Sequence, residues 1–334
     1  MTRYDEEVES QLREIVRFGV PSFKVHLAYK GAVSVDDTAL FRTLGLAKEL
    51  GAIVVAHCEN AEIIPELQRR LLARGRTGPE WHHDSRPPAI EADGTHHVLA
   101  LARIQGAHVC VAHLSCEEPL RIAAAARGAG QPVWIETMVQ YLVLDRTFAE
   151  QPGFEGAKYV LSPPLRDRAN QRALWEGLRD GTISTVGTDH APFDFATQKT
   201  RGRGDFTKIP NGIPGIEDRV NLLYTYGVLE GRLTLEQFVD VAGVQAAKLF
   251  GLYPRKGAVR EGSDADLVVY DPDHRGTISA RTHAMNVDYN PYEGWAIRGR
   301  PRFVTVRGEV VVRDGRFVGR AGHGRFVPRE PTHF

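Results

Sequence analysis

The stretch from Pro21 to Gly31 reads P-S-F-K-V-H-L-A-Y-K-G, and it decides how the rest of the chain is interpreted. Its aromatic and β-branched residues predict a strand with a buried face. The exception is Lys24, which stands between Phe23 and Val25. A buried ammonium costs several kcal/mol unless it is paired, neutralised or chemically altered. Lys24 therefore either reaches solvent from the strand or has a chemical role.

Strands and helices alternate along the first 250 or so residues. Apolar, β-branched runs predict strands at 22–28, 52–57, 107–113, 132–136 and 184–189, and amphipathic or alanine- and leucine-rich stretches predict helices at 5–18, 38–50, 90–105, 117–128 and 168–179. Such alternation indicates parallel βαβ units. Two architectures fit, a doubly wound sheet and a (β/α)₈ barrel, and the dinucleotide fingerprint G-x-G-x-x-G is absent from the sequence.

The pattern changes after residue 252. The rest of the chain is rich in short β-branched runs, with tight turns predicted at Glu261-Gly262 and Asp314-Gly315. This pattern indicates a small antiparallel β module. We therefore predict two units, a barrel over 1–252 and the β module with its tail over 253–334.

Composition excludes several classes of function. The 334 residues include 42 basic and 42 acidic ones, so charge gives no reason to expect nucleic acid or an anionic membrane as a partner. No apolar run approaches the roughly 18 residues of a membrane span, and the acidic N-terminus is unlike a secretory signal. Three cysteines make an odd, sparse set that suits a reducing cytoplasm better than a disulfide framework. A cytoplasmic location is expected.

Four polar residues lie within or at the carboxyl end of a predicted parallel strand: Lys24, His57, His113 and Asp189. In a parallel barrel these strand ends form the catalytic face. Each has an ordinary explanation as a hydrogen-bonded histidine, a helix cap or a lysine that reaches solvent. Their coincidence on four strands favours a shared site.

Two histidines and a carboxylate suit zinc or a similar divalent ion. Lys24 could join them if its amine took up carbon dioxide to become a carbamate. That group carries two oxygens and a negative charge, and it can bridge two cations. A carbamate would explain the lysine in the strand, because the side chain would no longer be a cation.

The chain resembles, over essentially its whole length, the cyclic amidohydrolases of the amidohydrolase superfamily, and most closely their hydantoinase/dihydropyrimidinase branch. The segments that carry the resemblance are the Lys24 strand, V-A-H-C-E-N-A-E around His57, V-A-H-L-S-C-E-E around His113, G-T-D-H-A-P-F around Asp189, G-R-G-D-F-T-K-I-P-N-G-I-P-G-I-E-D-R at 202–219 and M-N-V-D-Y-N-P-Y-E-G at 285–294.

The resemblance implies hydrolysis of the cyclic amide of a hydantoin or dihydropyrimidine to an N-carbamoyl amino acid. It implies two divalent ions, expected to be zinc, held by carboxylated Lys24, His57, His113 and Asp189. Asp189 would move the proton from the attacking water to the leaving nitrogen. The resemblance also implies a homo-oligomer, a dimer or tetramer.

Three further residues match family positions that contact the substrate. Tyr29 matches the tyrosine that donates its hydroxyl to the developing oxyanion. Ser162, in L-S-P-P-L-R, and Asn211, in I-P-N-G, match positions whose backbone groups hold the cyclic amide.

One departure concerns the metals. Family members begin with a β-rich segment and a first barrel strand that ends in His-x-His, and no such motif precedes Lys24. The pair His82-His83 has the wrong spacing and place. Five barrel strands are predicted where eight are expected, so we expect an incomplete barrel with at most one tightly bound metal and no detectable turnover. Should two metals bind, His82, His83 and His190 are the first candidates for replacement ligands.

Two other functions remain open. Allantoinase or dihydroorotase chemistry uses the same metal core, but the 202–219 segment argues against both. A non-catalytic scaffold of the collapsin-response-mediator type shares the fold and lacks the metal ligands. The four strand-end residues together argue against that scaffold.

Overall fold

Five parallel strands form one sheet in the computed structural model, which describes residues 1–331. They follow one another across the sheet in chain order: β1 Ser22–His26, β2 Ile53–His57, β3 His108–Val111, β4 Val133–Met138 and β5 Thr185–Gly187. A doubly wound sheet reverses its strand order at a switch point, whereas a barrel wall does not. The sequential order therefore confirms the barrel-type prediction, and the five strands are those predicted from the sequence.

Helices connect these strands and cover the sheet. They are α1 Glu6–Arg17, α2 Asp37–Glu49, α3 Ile63–Leu72, α4 Pro88–Gln105, α5 Glu117–Gly128, α6 Val139–Val143, α7 Ala169–Arg179, α8 Arg219–Leu222 with a π-helical continuation Leu223–Val228, α9 Leu235–Val239 with a π-helical continuation Asp240–Val244, and α10 Gln245–Leu249. Short 3₁₀ segments lie at Pro79–Trp81, His83–Ser85, Arg146–Glu150, Pro152–Tyr159, Lys199–Gly202 and Phe206–Lys208. Among the described residues, none of the helices has the length and apolar character that crossing a lipid bilayer requires.

Strand alternation explains the position of Lys24. Phe23 and Val25 are buried on the helix-covered side of β1, within the main hydrophobic core. Because successive side chains of a strand point to opposite faces, Lys24 and His26 point away from that core and are only half-buried. The lysine thus occupies a polar face of the sheet.

A second sheet follows in the chain and is antiparallel. Its strands are β6 Val268–Thr277, β7 Ala296–Val306, β8 Glu309–Arg313 and β9 Arg316–Phe317. Asp314 and Gly315 both have positive φ, 49° and 78°, as the predicted hairpin turn between β8 and β9 requires. Ile278 and Tyr292, which lie between β6 and β7, join the same buried cluster as the parallel sheet. The division of the chain into two units at 252/253 stays a prediction. The last three residues of the second unit lie outside the described part of the chain.

Candidate active site

Lys24, from the middle of β1, converges with His57 at the end of β2 and His113 just beyond β3. His57 Nδ1 lies 3.1 Å from His113 Nε2, and Lys24 Nζ lies 3.5 Å from the same His113 nitrogen. Two nitrogen ligands of one tetrahedral zinc, each at about 2.0–2.1 Å, stand about 3.3 Å apart. The two histidine nitrogens therefore have the spacing of donors around a single ion, and the Lys24 amine lies beside them.

A buried carboxylate orients the His57 ring. Glu59 Oε2 lies 2.8 Å from His57 Nε2 and 2.6 Å from an Arg86 guanidinium nitrogen. Burial alone would raise the pKa of Glu59, but Arg86 and His57 lower it to about 2. The ionised carboxylate accepts a hydrogen bond from Nε2–H of His57. The lone pair of His57 is then on Nδ1, which faces His113. A carboxylate behind a ligating histidine is a common arrangement at zinc sites.

His113 is prepared to bind as a neutral imidazole. Burial, with the nearby positive charge of Lys24 and the neighbouring His57, holds the pKa of His113 well below its usual value. The neutral ring is the form that ligates metals. Its backbone N–H donates to Glu136 on β4, at 3.3 Å from Oε2. The donor set of this trio fits a divalent ion of the zinc type.

Three of the six non-glycine residues with positive φ in the described chain belong to the predicted site. Tyr29, His113 and Asp189 adopt left-handed conformations, with φ of 66°, 39° and 46°. Such conformations are uncommon for non-glycine residues and cluster at functional sites, where the surrounding structure imposes them. Three of the seven predicted site residues therefore stand in strained positions at strand ends.

Asp189 lies outside the trio. It follows β5 by two residues and is exposed, and within residues 1–331 no three His, Cys, Asp or Glu side chains stand close enough to hold a metal together. Its electrostatic neighbour is Glu136. Burial raises the pKa of Glu136 and Asp189 raises it further, while Lys24 and the His113 N–H oppose both effects. Glu136 thus interacts electrostatically with both Lys24 and Asp189.

The three predicted substrate contacts lie together. Ser162 and Asn211 are close enough to the Tyr29 phenol to lower its pKa, as does Arg86, whose guanidinium lies 5.4 Å from the ring centroid. Burial is the larger effect and raises the pKa of Tyr29 above its usual value, so its hydroxyl stays protonated. Ser162 Oγ makes no hydrogen bond of good geometry to the described residues. A pocket of about 480 Å³ is lined by Tyr29, Arg86 and Asn211.

The other histidines considered as ligands have structural partners. His82 Nε2 lies 2.8 Å from the Leu161 carbonyl, and His83 Nδ1 lies 3.0 Å from the Leu165 carbonyl. His190 Nδ1 accepts a hydrogen bond of 3.2 Å from the Gly215 amide. These contacts hold loops around the site rather than join the trio.

Sequence reasoning missed Glu59, Arg86 and Glu136. Glu136 was detectable, because it ends the predicted strand 132–136 and so satisfies the rule that selected the other strand-end residues. Glu59, two residues beyond His57, gave a weaker signal. Arg86 gave none, because its contact with Glu59 joins segments that only the folded chain brings together.

Comparisons with known proteins identify the family of the chain. The model of the amidohydrolase family matches residues 2–311. The D-hydantoinase of Geobacillus stearothermophilus is 50% identical over 97% of this chain and 69% of its own length. The solved D-hydantoinase (dihydropyrimidinase) of Thermus sp. superposes with a TM-score of 0.97 at 56% identity, covering 100% of this chain and 73% of that one.

A dihydropyrimidinase from Brevibacillus agri gives a TM-score of 0.98 at 48% identity, again over 100% of this chain and 73% of that one. These relatives favour a cyclic amidohydrolase over a scaffold protein. The chain belongs to the amidohydrolase family, in its hydantoinase and dihydropyrimidinase branch.

Proposed function

We propose that this chain carries the catalytic residues for metal-dependent hydrolysis of the cyclic amide of a hydantoin or dihydropyrimidine ring. The observation that carries the proposal is the convergence of Lys24, His57 and His113, with 3.1 Å and 3.5 Å between their nitrogens. Family membership supports a divalent-metal-dependent enzyme. The names of the relatives support small cyclic amides as substrates.

Zinc is the proposed metal, held by His57 Nδ1, His113 Nε2 and a carbamate oxygen on Lys24. Neutral imidazoles and a carboxylate-like oxygen form a donor set that zinc prefers. When bound, the metal lowers the pKa of a water molecule toward neutrality and polarises the ring carbonyl. Glu59, which accepts from His57 Nε2–H, would leave the Nδ1 lone pair free to bind the ion.

The protein side chains then orient the ring and move the proton. Tyr29 donates its hydroxyl to the oxygen of the attacked carbonyl, where negative charge develops. Backbone groups at Ser162 and Asn211 hold the cyclic amide beside it. Asp189 accepts the proton of the attacking water and delivers it to the ring nitrogen as the C–N bond breaks. The product is an N-carbamoyl amino acid.

A second ion would have fewer protein donors. The sequence contains no two histidines spaced as His-x-His. Beyond the trio, only Asp189 and the second carbamate oxygen of Lys24 belong to the proposed ligand set. We therefore infer at most one tightly bound metal per chain, with a second ion held much more weakly.

A homo-oligomer, dimer or tetramer, and a cytoplasmic location belong to the same proposal. All three cysteines are free and buried, as suits a reducing compartment. Light scattering of the purified chain tests the oligomeric state.

The activity is tested by measuring zinc content and ring opening together, with hydantoin and dihydrouracil as substrates. We expect at most one zinc per chain, no detectable ring opening by the chain alone, and ring opening once a segment that bears His-x-His is added in cis or as a peptide. Failure of the zinc-loaded, supplemented chain to open either ring would contradict the proposed activity. Two tightly held ions with robust turnover by the chain alone would show that other donors complete the site.

A further inference from the structure

Lys199 is a buried cation that the proposed reaction does not use. Its side chain is completely buried, and none of the described carboxylates pairs with it. Its Nζ donates instead to two backbone carbonyls, those of Val160 and Pro210, each at 2.8 Å. Burial lowers the pKa of Lys199 to about 7, which reflects how little solvent or counter-charge reaches the group.

The two carbonyls belong to the segments that carry the proposed substrate contacts. Val160 precedes Ser162 by two residues, and Pro210 directly precedes Asn211. The Gly212 amide also donates to the Val160 carbonyl, at 3.0 Å. One ammonium therefore bridges the backbones of the two segments that carry Ser162 and Asn211.

The surroundings of Lys199 would suit an apolar side chain. Val160, Phe206 and Ile209 form a hydrophobic cluster in which all three are at most 2% exposed. Replacing a buried charge by an apolar residue of similar volume is often neutral or stabilising. The contacts specific to the ammonium are thus the pair of short bonds that joins the two segments and a longer contact with the Phe193 ring, whose centroid lies 5.9 Å from Nζ.

We propose that Lys199 is a positioning residue, which ties segment 160–162 to segment 210–212 and so sets the spacing of Ser162 and Asn211 around the cyclic amide. The inference rests on the proposed function only in giving Ser162 and Asn211 their contacts with the ring. The bridge itself rests on the two bonds from Nζ.

Amide hydrogen exchange of the intact chain tests the bridge. Lys199→Met keeps the length of the side chain and removes the donors, and we expect exchange at Gly212 and across 160–162 to rise about tenfold, the scale of one lost hydrogen bond. The matched control is Lys158→Met, since Lys158 lies nearby but pairs with Glu155. Lys199→Gln, which keeps an amide donor, should give a smaller increase. Unchanged exchange in both Lys199 variants would overturn the proposal.

Binding of hydantoin and dihydrouracil to the zinc-loaded chain tests the positioning role separately. We expect Lys199→Met to weaken the affinity about tenfold, with zinc content unchanged and Lys158→Met like the parent chain. Faster exchange with unchanged ring affinity would overturn the positioning role. If the parent chain bound neither ring, the proposed function would fail, while the exchange result would still decide whether Lys199 bridges the segments.

Discussion

The two ends of the candidate site lie on the same parallel sheet but are built differently. At β1–β3, His57 and His113 are 2% and 3% exposed, and they donate hydrogen bonds to Glu59 and Glu136, respectively. Beyond β5, Asp189 is exposed, and its side chain makes no hydrogen bond to the described residues. The histidines at β1–β3 thus have buried partners that fix their orientation, whereas Asp189 has none among the described residues.

The largest effect is expected from Lys24→Arg, in the part of the site formed by β1–β3. A guanidinium cannot become a carbamate, so tight zinc binding should be lost. Native mass spectrometry should show the mass of one carbon dioxide on Lys24 in the parent chain and none in the variant, and metal analysis should show loss of zinc in parallel. Stoichiometric zinc retained by Lys24→Arg would contradict the role of the carbamate.

Asp189→Asn should affect the chemical step and leave the zinc of the trio in place. In a chain fused to a segment that bears His-x-His, we expect kcat to fall by at least about 10²-fold, the usual scale for loss of a general acid or base. Steady-state kinetics and metal analysis of the same samples separate the two effects. Near-normal turnover would mean that another group, with Glu136 the first candidate, carries the proton.

Glu59→Gln should have the smallest of these effects. The glutamine amide lacks the negative charge of the carboxylate that accepts the hydrogen bond from His57 Nε2–H. Loss of such a partner usually costs about 10–100-fold in metal affinity. Competition with a zinc chelator measures the change. Glu62→Gln is a matched control, because Glu62 is exposed and pairs with Lys30 instead. Equal zinc affinities in the two variants would show that Glu59 does not strengthen metal binding by His57.

The pattern of apolar residues along the chain explains how much of this arrangement the sequence could predict. β-branched runs placed all five parallel strands, and the strand-end rule then selected Lys24, His57 and His113, because parallel strands end at one edge of a sheet. The roles of Arg86 and Lys199 could not be read in this way. Both act through contacts between segments distant in sequence, and the loops around them have no hydrophobic period. The family resemblance identified Tyr29, Ser162 and Asn211 as substrate contacts. No local sequence pattern predicts that role.

Zinc content of single-histidine variants tests most directly the claim that Lys24, His57 and His113 hold one ion. His26 is the matched control, since its ring centroid lies 5.6 Å from that of His57 on the adjacent strand but it is not among the proposed ligands. After gel filtration, we expect the parent chain and His26→Ala to retain one zinc per chain and His57→Ala and His113→Ala to lose it. Zinc retained by His113→Ala, or lost equally from His26→Ala, would contradict the account.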